Sequence, residues 1–491
     1  MFWGVDIPIP WETVATIATT IGGYVLAFVL IPRIVMDRRE SGATLAWIVV
    51  IAFLPYLGAL LFFLIGRTRI WRRKRRRIRY HHAFLRALDG LPYTAAQCNA
   101  MPNLPELPGP GSDIARVGGC VGNSPLLPGN KVEVLIDANR TYHLMEQAIR
   151  GARHHVHMMS YIFNDDVAGI RFRDALAAKA KEGVAVRLLV DGVGSHGLSR
   201  SFVRPILEAG GRFARFMPVL PLRPRWRPNL RNHRKILVVD GEVGFAGGLN
   251  IGDEYRGRKK KFAPWRDTHV RLEGPAVLRL QEVFLEDWLF ATDEDVLDPK
   301  YLPEREACGA ELVQVVESGP DLDHGTIHAV FFTAISQARR RVFITTPYFI
   351  PDPAMLMALK TAVWRGVDVR VLVPGKSDLP LVRLAGNSYY RELIEAGVKL
   401  YEHRPGILHA KTMVVDGAWS TVGSSNMDIR SFRLNFEVNV LVFGEAFALQ
   451  MEQIYLEDIA KARLVELATV RRKSRRTRFV EAVARVLSPA L

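Results

Sequence analysis

The chain opens with two long apolar runs and then alternates short strand-type and helix-type patterns. Residues 13–32 form a 20-residue stretch without a charge, and residues 43–66 form a second of 24. Each can cross a hydrocarbon core of roughly 30 Å as a helix rising about 1.5 Å per residue. They predict a two-helix transmembrane hairpin over 1–66. Asp6 and Glu12 precede or enter the first run with no basic residue beside them, which argues against a secretory leader.

From residue 131 the pattern becomes α/β. Residues 131–136 read as a strand, 141–151 as a helix, 155–163 as a strand, 170–182 as a helix and 183–190 as a buried strand. A second series follows with a strand at 342–346, a helix at 354–365 and a strand at 366–373. GVAVRLLV, from Gly183, and GVDVRVLV, from Gly366, match almost letter for letter, so the repeat spans whole domains. The expectation is two homologous α/β domains, 131–300 and 301–470, with helices covering a sheet. The segment 67–130 is basic at its start and rich in Pro and Gly from Leu91 to Gly129, and predicts a juxtamembrane segment and a linker without regular elements. The remainder, 471–491, is a basic tail in which Phe479, Val480, Val483 and Leu487 fall on one helical face, as in a surface-lying amphipathic helix or one docked on the core.

Chemistry is repeated along with the fold. His233-x-Lys235-x4-Asp240 returns as His409-x-Lys411-x4-Asp416, and Asn250 and Asn426 each follow their histidine by 17 residues. In a strand, His and Lys two apart face the same way, so an imidazole and an ammonium reach one phosphate together. Asp240 and Asp416 each precede a glycine, a tight-turn signal, so these motif residues also suit a purely structural role. Asp267 in WRDTHV and Glu437 in NFEVNV lie 34 and 28 residues after their histidines. The difference fits an insertion between Arg256 and Pro264, and each carboxylate is expected to orient the histidine of its own half. Ser424, beside Asn426, is a candidate phosphate donor whose first-half counterpart is Gly248.

The formal charge of +16 is concentrated in two runs, nine Lys/Arg in 67–79 and six in 471–478, which leaves the rest close to neutral. Such runs beside apolar segments suit anionic lipid, and the near-neutral domains argue against a nucleic-acid partner. The first run would hold its end of the hairpin, and the domains after it, in the cytoplasm. Arg225, Trp226, Arg227 and Trp265 are candidate membrane or headgroup contacts around the first motif. Three cysteines without ligand spacing, and His154, His155 and His157 without an acidic or Cys companion, give no metal site.

These motifs resemble the phospholipase D superfamily, and more specifically its bacterial cardiolipin synthases of the two-transmembrane-helix form. RNHRKILVVDG, GGLNIGDEY, WRDTHVRLEGPAV, ITTPYFIPD, LHAKTMVVDG and GSSNMDIRSFRLNFEVNV carry the likeness, with AWIVVIAFLPYLGALLFFLIG at the N-terminal end. The resemblance implies one active site between two domains and no cofactor or metal. It further implies phosphatidyl transfer from one phosphatidylglycerol to another through a phosphatidyl-histidine, with His233 favoured as nucleophile and His409 as acid and base. Lys235, Lys411, Asn250 and Asn426 would then hold the phosphate. Cardiolipin and glycerol would be the products, in the inner membrane of a bacterium, and a homodimer is compatible. A lipid hydrolase, a nuclease or a transferase using another acceptor could run on the same motifs.

Overall fold

The duplicated pattern becomes a duplicated sheet. The structure, a computed structural model, describes residues 10–36, 41–66, 79–83, 106–218, 229–258, 263–303, 305–322 and 325–488. In the first half the strands run in the order Leu127–Leu135, His269–Glu273, Val243–Gly247, Ile236–Val239, His155–Ser160, Ala185–Asp191, Arg212–Phe216. In the second the order is Glu311–Ser318, Asn435–Phe443, Trp419–Gly423, Thr412–Val415, Arg341–Thr345, Asp368–Pro374, Lys399–His403, with Ala462–Leu464 added at the edge. The sequences of pairing are the same. Strands Leu127–Leu135 and Glu311–Ser318 pair antiparallel and join the halves into one sheet of sixteen strands.

The expected elements form, shifted at their ends by up to four residues. Helices Ala138–Gly151, Val167–Lys181 and Pro353–Trp364 each begin at an aspartate (Asp137, Asp166 and Asp352) whose carboxylate accepts a first-turn N–H. Each motif ends in a hairpin turn with positive φ at both Asp and Gly, 55° and 65° at Asp240 and Gly241, and 56° and 65° at Asp416 and Gly417. Gly takes that conformation without a Cβ clash and Asp tolerates it. Helix Ala276–Thr292 is buried almost throughout and carries charge into the core. Burying charge is costly unless it is paired, and here Arg234 meets Asp287 at 2.9 Å and Glu317 at 2.6 Å, while Arg279 meets Glu317 at 3.1 Å.

Two stretches differ from the sequence expectation. Gly111–Gly122, placed in the structureless linker, is a helix with Ile114 and Ala115 buried. Its glycines are the reason, because a Cβ on Gly118 would lie 2.4 Å from Gln314 Oε1 and one on Gly122 would lie 2.6 Å from Thr326 Cγ2. The helix propensity lost at glycine is offset by close packing. Of the basic segment, residues 79–83 are helical and docked on helix Ala276–Thr292 and the segment after it: Tyr80 is buried and its hydroxyl donates to Asp295 at 2.9 Å, and His81 Nδ1 lies 2.9 Å from Glu282. The other basic residues of that run, 67–77, lie outside the described residues.

The N-terminal unit is a separate body. Trp11–Met36 is one continuous apolar helix of 26 residues, and among the described residues it alone has the length and hydropathy for a crossing. The second apolar run is helical but divided, with Ser41–Phe53, Pro55–Leu61 and a π-turn Phe62–Gly66. The break falls at Pro55, which has no N–H to donate. The runs pack on each other, and Tyr56 donates its hydroxyl to the Thr19 carbonyl at 2.7 Å.

Candidate active site

Just ahead of each motif the chain makes a two-residue strand that pairs with the other half. Arg231–Asn232 runs parallel to Asn435–Phe436, and Ile407–Leu408 runs parallel to Trp265–Arg266. The next backbone link is also exchanged: His233 N–H donates to Phe436 O at 2.9 Å, and His409 N–H donates to Arg266 O at 2.7 Å. Each histidine is thereby set beside the residue that follows, a carboxylate of the opposite half. His233 Nδ1 lies 3.0 Å from Glu437 Oε2, and His409 Nδ1 lies 2.7 Å from Asp267 Oδ2.

This corrects the expectation that Asp267 and Glu437 serve their own halves. Position along the repeat was informative about which residues matter, and the exchange of short strands decides whom they serve. Both carboxylates are fully buried. Burial alone would raise the Glu437 carboxyl, but His233, Lys235 and the Ser424 hydroxyl hold it below its ordinary value. Asp267 is held down in the same way by Lys411, His409 and the Thr268 N–H. Burial pushes the His233 imidazole down to about 4, against the pull of Glu437. An ionised carboxylate facing a neutral ring fixes the proton on Nδ1 and leaves the Nε2 lone pair available. Burial also lowers His409, helped by Lys411 and opposed by Asp267 and Asp378.

Lys235 Nζ donates to His233 O at 2.6 Å and sits 5.4 Å above the Tyr161 ring, whereas Lys411 Nζ, bonded to His409 O, lies 3.2 Å from His409 Nε2. Burial depresses the two ammonium groups to about 7 and about 8. His233, His409, Asn250 and Asn426 line one cavity of about 400 Å³. Ile162 N–H donates to Asn250 Oδ1 at 3.1 Å, which turns the amide nitrogen elsewhere; that Nδ2 lies 3.4 Å from the Tyr255 hydroxyl. Asn426 Nδ2 donates to Ser431 Oγ at 3.3 Å.

Other expected site residues fall elsewhere. Asp240 and Asp416 lie at the turn ends of their strands, and their carboxylates accept three backbone N–H groups each, from Arg153, His154 and His155 and from Arg339, Arg340 and Arg341, at 2.7–2.9 Å. They hold the hairpins to the neighbouring strands and are not among the cavity-lining residues. Ser424 donates to Glu437 rather than into the cavity. Its counterpart Gly248 has no room for a side chain, because a Cβ there would meet Asp267 Oδ1 at 2.1 Å. Trp265, expected at a membrane lip, is buried against His409 with ring centroids 5.2 Å apart. Arg225, Trp226 and Arg227 lie outside the described residues.

The repeat is broken around the cavity in a consistent way. Two residues before the motif histidine stands Arg231 in one half and Ile407 in the other; four after the motif asparagine, Glu254 and Arg430; two before the carboxylate, Trp265 and Asn435. Because the halves exchange strands, Arg231, Arg430 and Asn435 come to the His233 side with Tyr161, whose ring lies 5.0 Å from His233. Glu254 and Trp265 come to the His409 side, through Tyr255, whose ring lies 4.9 Å from Trp265. Of these only Arg231 and Trp265 stood out in sequence, within the basic, aromatic stretch around the first motif, although aligning the two repeats exposes each difference. Arg234 and Asn232, anchored on Asp287 at 2.9 and 2.8 Å, were likewise hidden, since only the fold reveals their buried partner.

The C-terminal helix Arg475–Leu487 is docked through Ala484, and the Arg485 guanidinium lies 4.1 Å from the Tyr389 ring centroid. Phe479, Val480, Val483 and Val486 remain exposed. Ser488, which follows the helix, reaches the cavity wall.

Comparison with known proteins gives the family. The model described as "Cardiolipin synthase, PLD-like domain" matches residues 145–288 and 331–459, one match per half. The chain belongs to this phospholipase D-like cardiolipin synthase family. Residues 25–67 match a second model, "Phospholipase_D-nuclease N-terminal". Cardiolipin synthase 1 of Bacillus cereus is 38% identical over 473 residues, covering 93% of this chain and 91% of that protein. Cardiolipin synthase of Geobacillus kaustophilus is 38% identical over 461 residues, covering 93% and 90%. The crystal structure of phosphatidylserine synthase from Haemophilus influenzae superposes with a TM-score of 0.59 at 15% identity, covering 77% of this chain and all of that one, a likeness of fold.

Proposed function

We propose that the chain is a cardiolipin synthase that transfers a phosphatidyl group from one phosphatidylglycerol to a second and releases glycerol. The observation that carries the reading is the pair of buried histidines, each held at Nδ1 by a carboxylate of the opposite half, lining a single cavity. His233 Nε2 attacks phosphorus while the bond to the glycerol oxygen breaks, and His409 gives that oxygen its proton. His409 then takes the proton of a hydroxyl on the second phosphatidylglycerol. The alkoxide attacks phosphorus, the P–N bond breaks, and both histidines return to their starting states.

Lys235, Lys411, Asn250 and Asn426 bear on the non-bridging oxygens, where charge builds in the transition state. The assignment of His233 as nucleophile is supported by its ring being neutral down to about pH 4. His409 as acid is supported by Asp267 and Asp378, which oppose the burial and the Lys411 ammonium that lower its pKa. Asp240 and Asp416 act as structural residues.

The apolar helix Trp11–Met36 supports a membrane-anchored enzyme. A cytoplasmic site is supported by the basic run after residue 66, and an inner-membrane, multi-pass arrangement by the second apolar run. The exposed apolar face of the C-terminal helix, flanked by Arg475, Arg476 and Arg478, suits contact with anionic lipid. The test is to incubate purified protein with phosphatidylglycerol alone and identify products by mass. Cardiolipin and glycerol in equal amounts are expected; phosphatidate and glycerol without cardiolipin would make it a hydrolase.

A further inference from the structure

The phosphate-binding set is made of donors, yet the cavity wall also offers acceptors that a phosphodiester cannot satisfy. Asn435 Nδ2 donates to Glu437 Oε1 at 3.1 Å, which fixes its amide orientation, and its buried Oδ1 has no hydrogen-bond partner. Asn426 Oδ1 is buried in the same wall and equally without a partner. Two carboxylates join them there, Asp378 and Glu254. Asp378 accepts the Tyr348 hydroxyl at 2.8 Å, and the Tyr348 ring stands 6.3 Å from that of His409. Glu254 reaches the same side through Tyr255 and Trp265. A buried acceptor without a donor costs free energy, so the bound ligand must bring donors.

We propose that Asp378 and Glu254, with the unpartnered amide oxygen of Asn426, form a hydroxyl-recognising subsite that selects a polyol headgroup on the phosphate being attacked. The inference rests on the function proposed above and adds the residues that choose the leaving group. In-line displacement puts the departing oxygen opposite His233, on the side of His409. The two free hydroxyls of a glycerol headgroup can donate to the carboxylates there. A cationic headgroup would meet the Lys411 ammonium, 3.2 Å from His409 Nε2. At the matched position of the repeat Glu254 is replaced by Arg430, so the acidic residue belongs to one side of the cavity and not to the repeat as such.

Two donor lipids separate headgroup recognition from proton transfer. Phosphatidylglycerol and phosphatidylethanol both release an alkoxide that needs His409, and only the first offers hydroxyls. Release of labelled glycerol or labelled ethanol is measured for the full-length protein and for its Asp378→Asn and Glu254→Gln variants. The expected result is a fall in kcat/KM on phosphatidylglycerol exceeding that on phosphatidylethanol by roughly 10-fold or more in at least one variant, carried largely by KM. Equal falls on both donors would overturn the proposal, since the carboxylates would then act through His409 or the fold. No fall on either would overturn it too, as would faster release of choline from phosphatidylcholine than of glycerol by the unsubstituted protein. If that protein releases glycerol but forms no cardiolipin, the synthase reading fails, while the two donors still decide the subsite.

Discussion

The two halves are copies in topology and unlike in the cavity they share. On the His233 side stand Arg231, Arg430, Asn435 and the long carboxylate Glu437, with the lysine drawn over an aromatic ring. On the His409 side stand Glu254, Asp378, Trp265 and the shorter Asp267, with the lysine drawn toward the imidazole. A symmetric site would make the histidines interchangeable. Divergence of the residues around them, with the histidines and lysines themselves unchanged, is what would let one duplicated frame hold the nucleophile and the acid proposed above.

The largest effect comes from the shared centre. His233→Ala and His409→Ala should each lower cardiolipin formation by roughly 10⁴-fold or more, and the double variant little further, because the two act as a unit. A variant that keeps more than about 1% of the activity, by product mass, would break the comparison at its root.

The crossed carboxylates come next. Glu437→Gln and Asp267→Asn should each cost roughly 10²–10⁴-fold, as loss of the group that fixes an imidazole tautomer does. They should differ with an aryl phosphodiester, whose leaving group needs no acid. Asp267→Asn should then accumulate phosphohistidine on His233, and Glu437→Gln should not form it. The reverse outcome by peptide mass mapping would exchange the roles of the two halves.

The pH profile is the third lever. Lys235 must be charged to hold phosphate, and in the free enzyme it is charged below about 7. Thus kcat/KM should fall as pH rises, first as His409, whose pKa burial and Lys411 lower, gives up its acid proton, and more steeply as Lys235 discharges through about 7. Bound phosphate raises the ammonium pKa, so the alkaline limb of kcat should lie higher. Lys235→Arg should remove the component near 7 and leave the fall set by His409, whatever its overall rate.

The smallest effects test a place where the halves differ in backbone crowding. Ser424→Ala removes the hydroxyl that donates to Glu437 and accepts the Val438 N–H at 3.0 Å, and should cost about 1–3 kcal/mol, since it leaves a buried N–H unpaired. Gly248→Ala, at the matching position, drives a Cβ into Asp267 and should cost about 1–3 kcal/mol in unfolding free energy through overpacking. Comparable melting temperatures for Gly248→Ala and the unsubstituted protein would show that Asp267 can move aside.

Much of this molecule is legible along the chain because its signals are local and repeated. Hydrophobic periodicity places the leading strands and helices of each half, and the paired motifs expose His233, Lys235, His409 and Lys411. Local signals mislead where packing decides: Gly118 and Gly122 weaken a helix in isolation yet let Gly111–Gly122 lie tight against Gln314 and Thr326. They are silent where a partner is remote, as for Arg234, whose guanidinium is buried against Asp287 and Glu317.

The amino-acid sequence by itself determined that there would be two α/β halves, an apolar N-terminal unit, and two sets of His, Lys, Asn and carboxylate. Only the tertiary structure decided which carboxylate meets which histidine. Spacing measures distance along one chain, whereas the pairing of Arg231–Asn232 with Asn435–Phe436, and of Ile407–Leu408 with Trp265–Arg266, joins segments more than 140 residues apart.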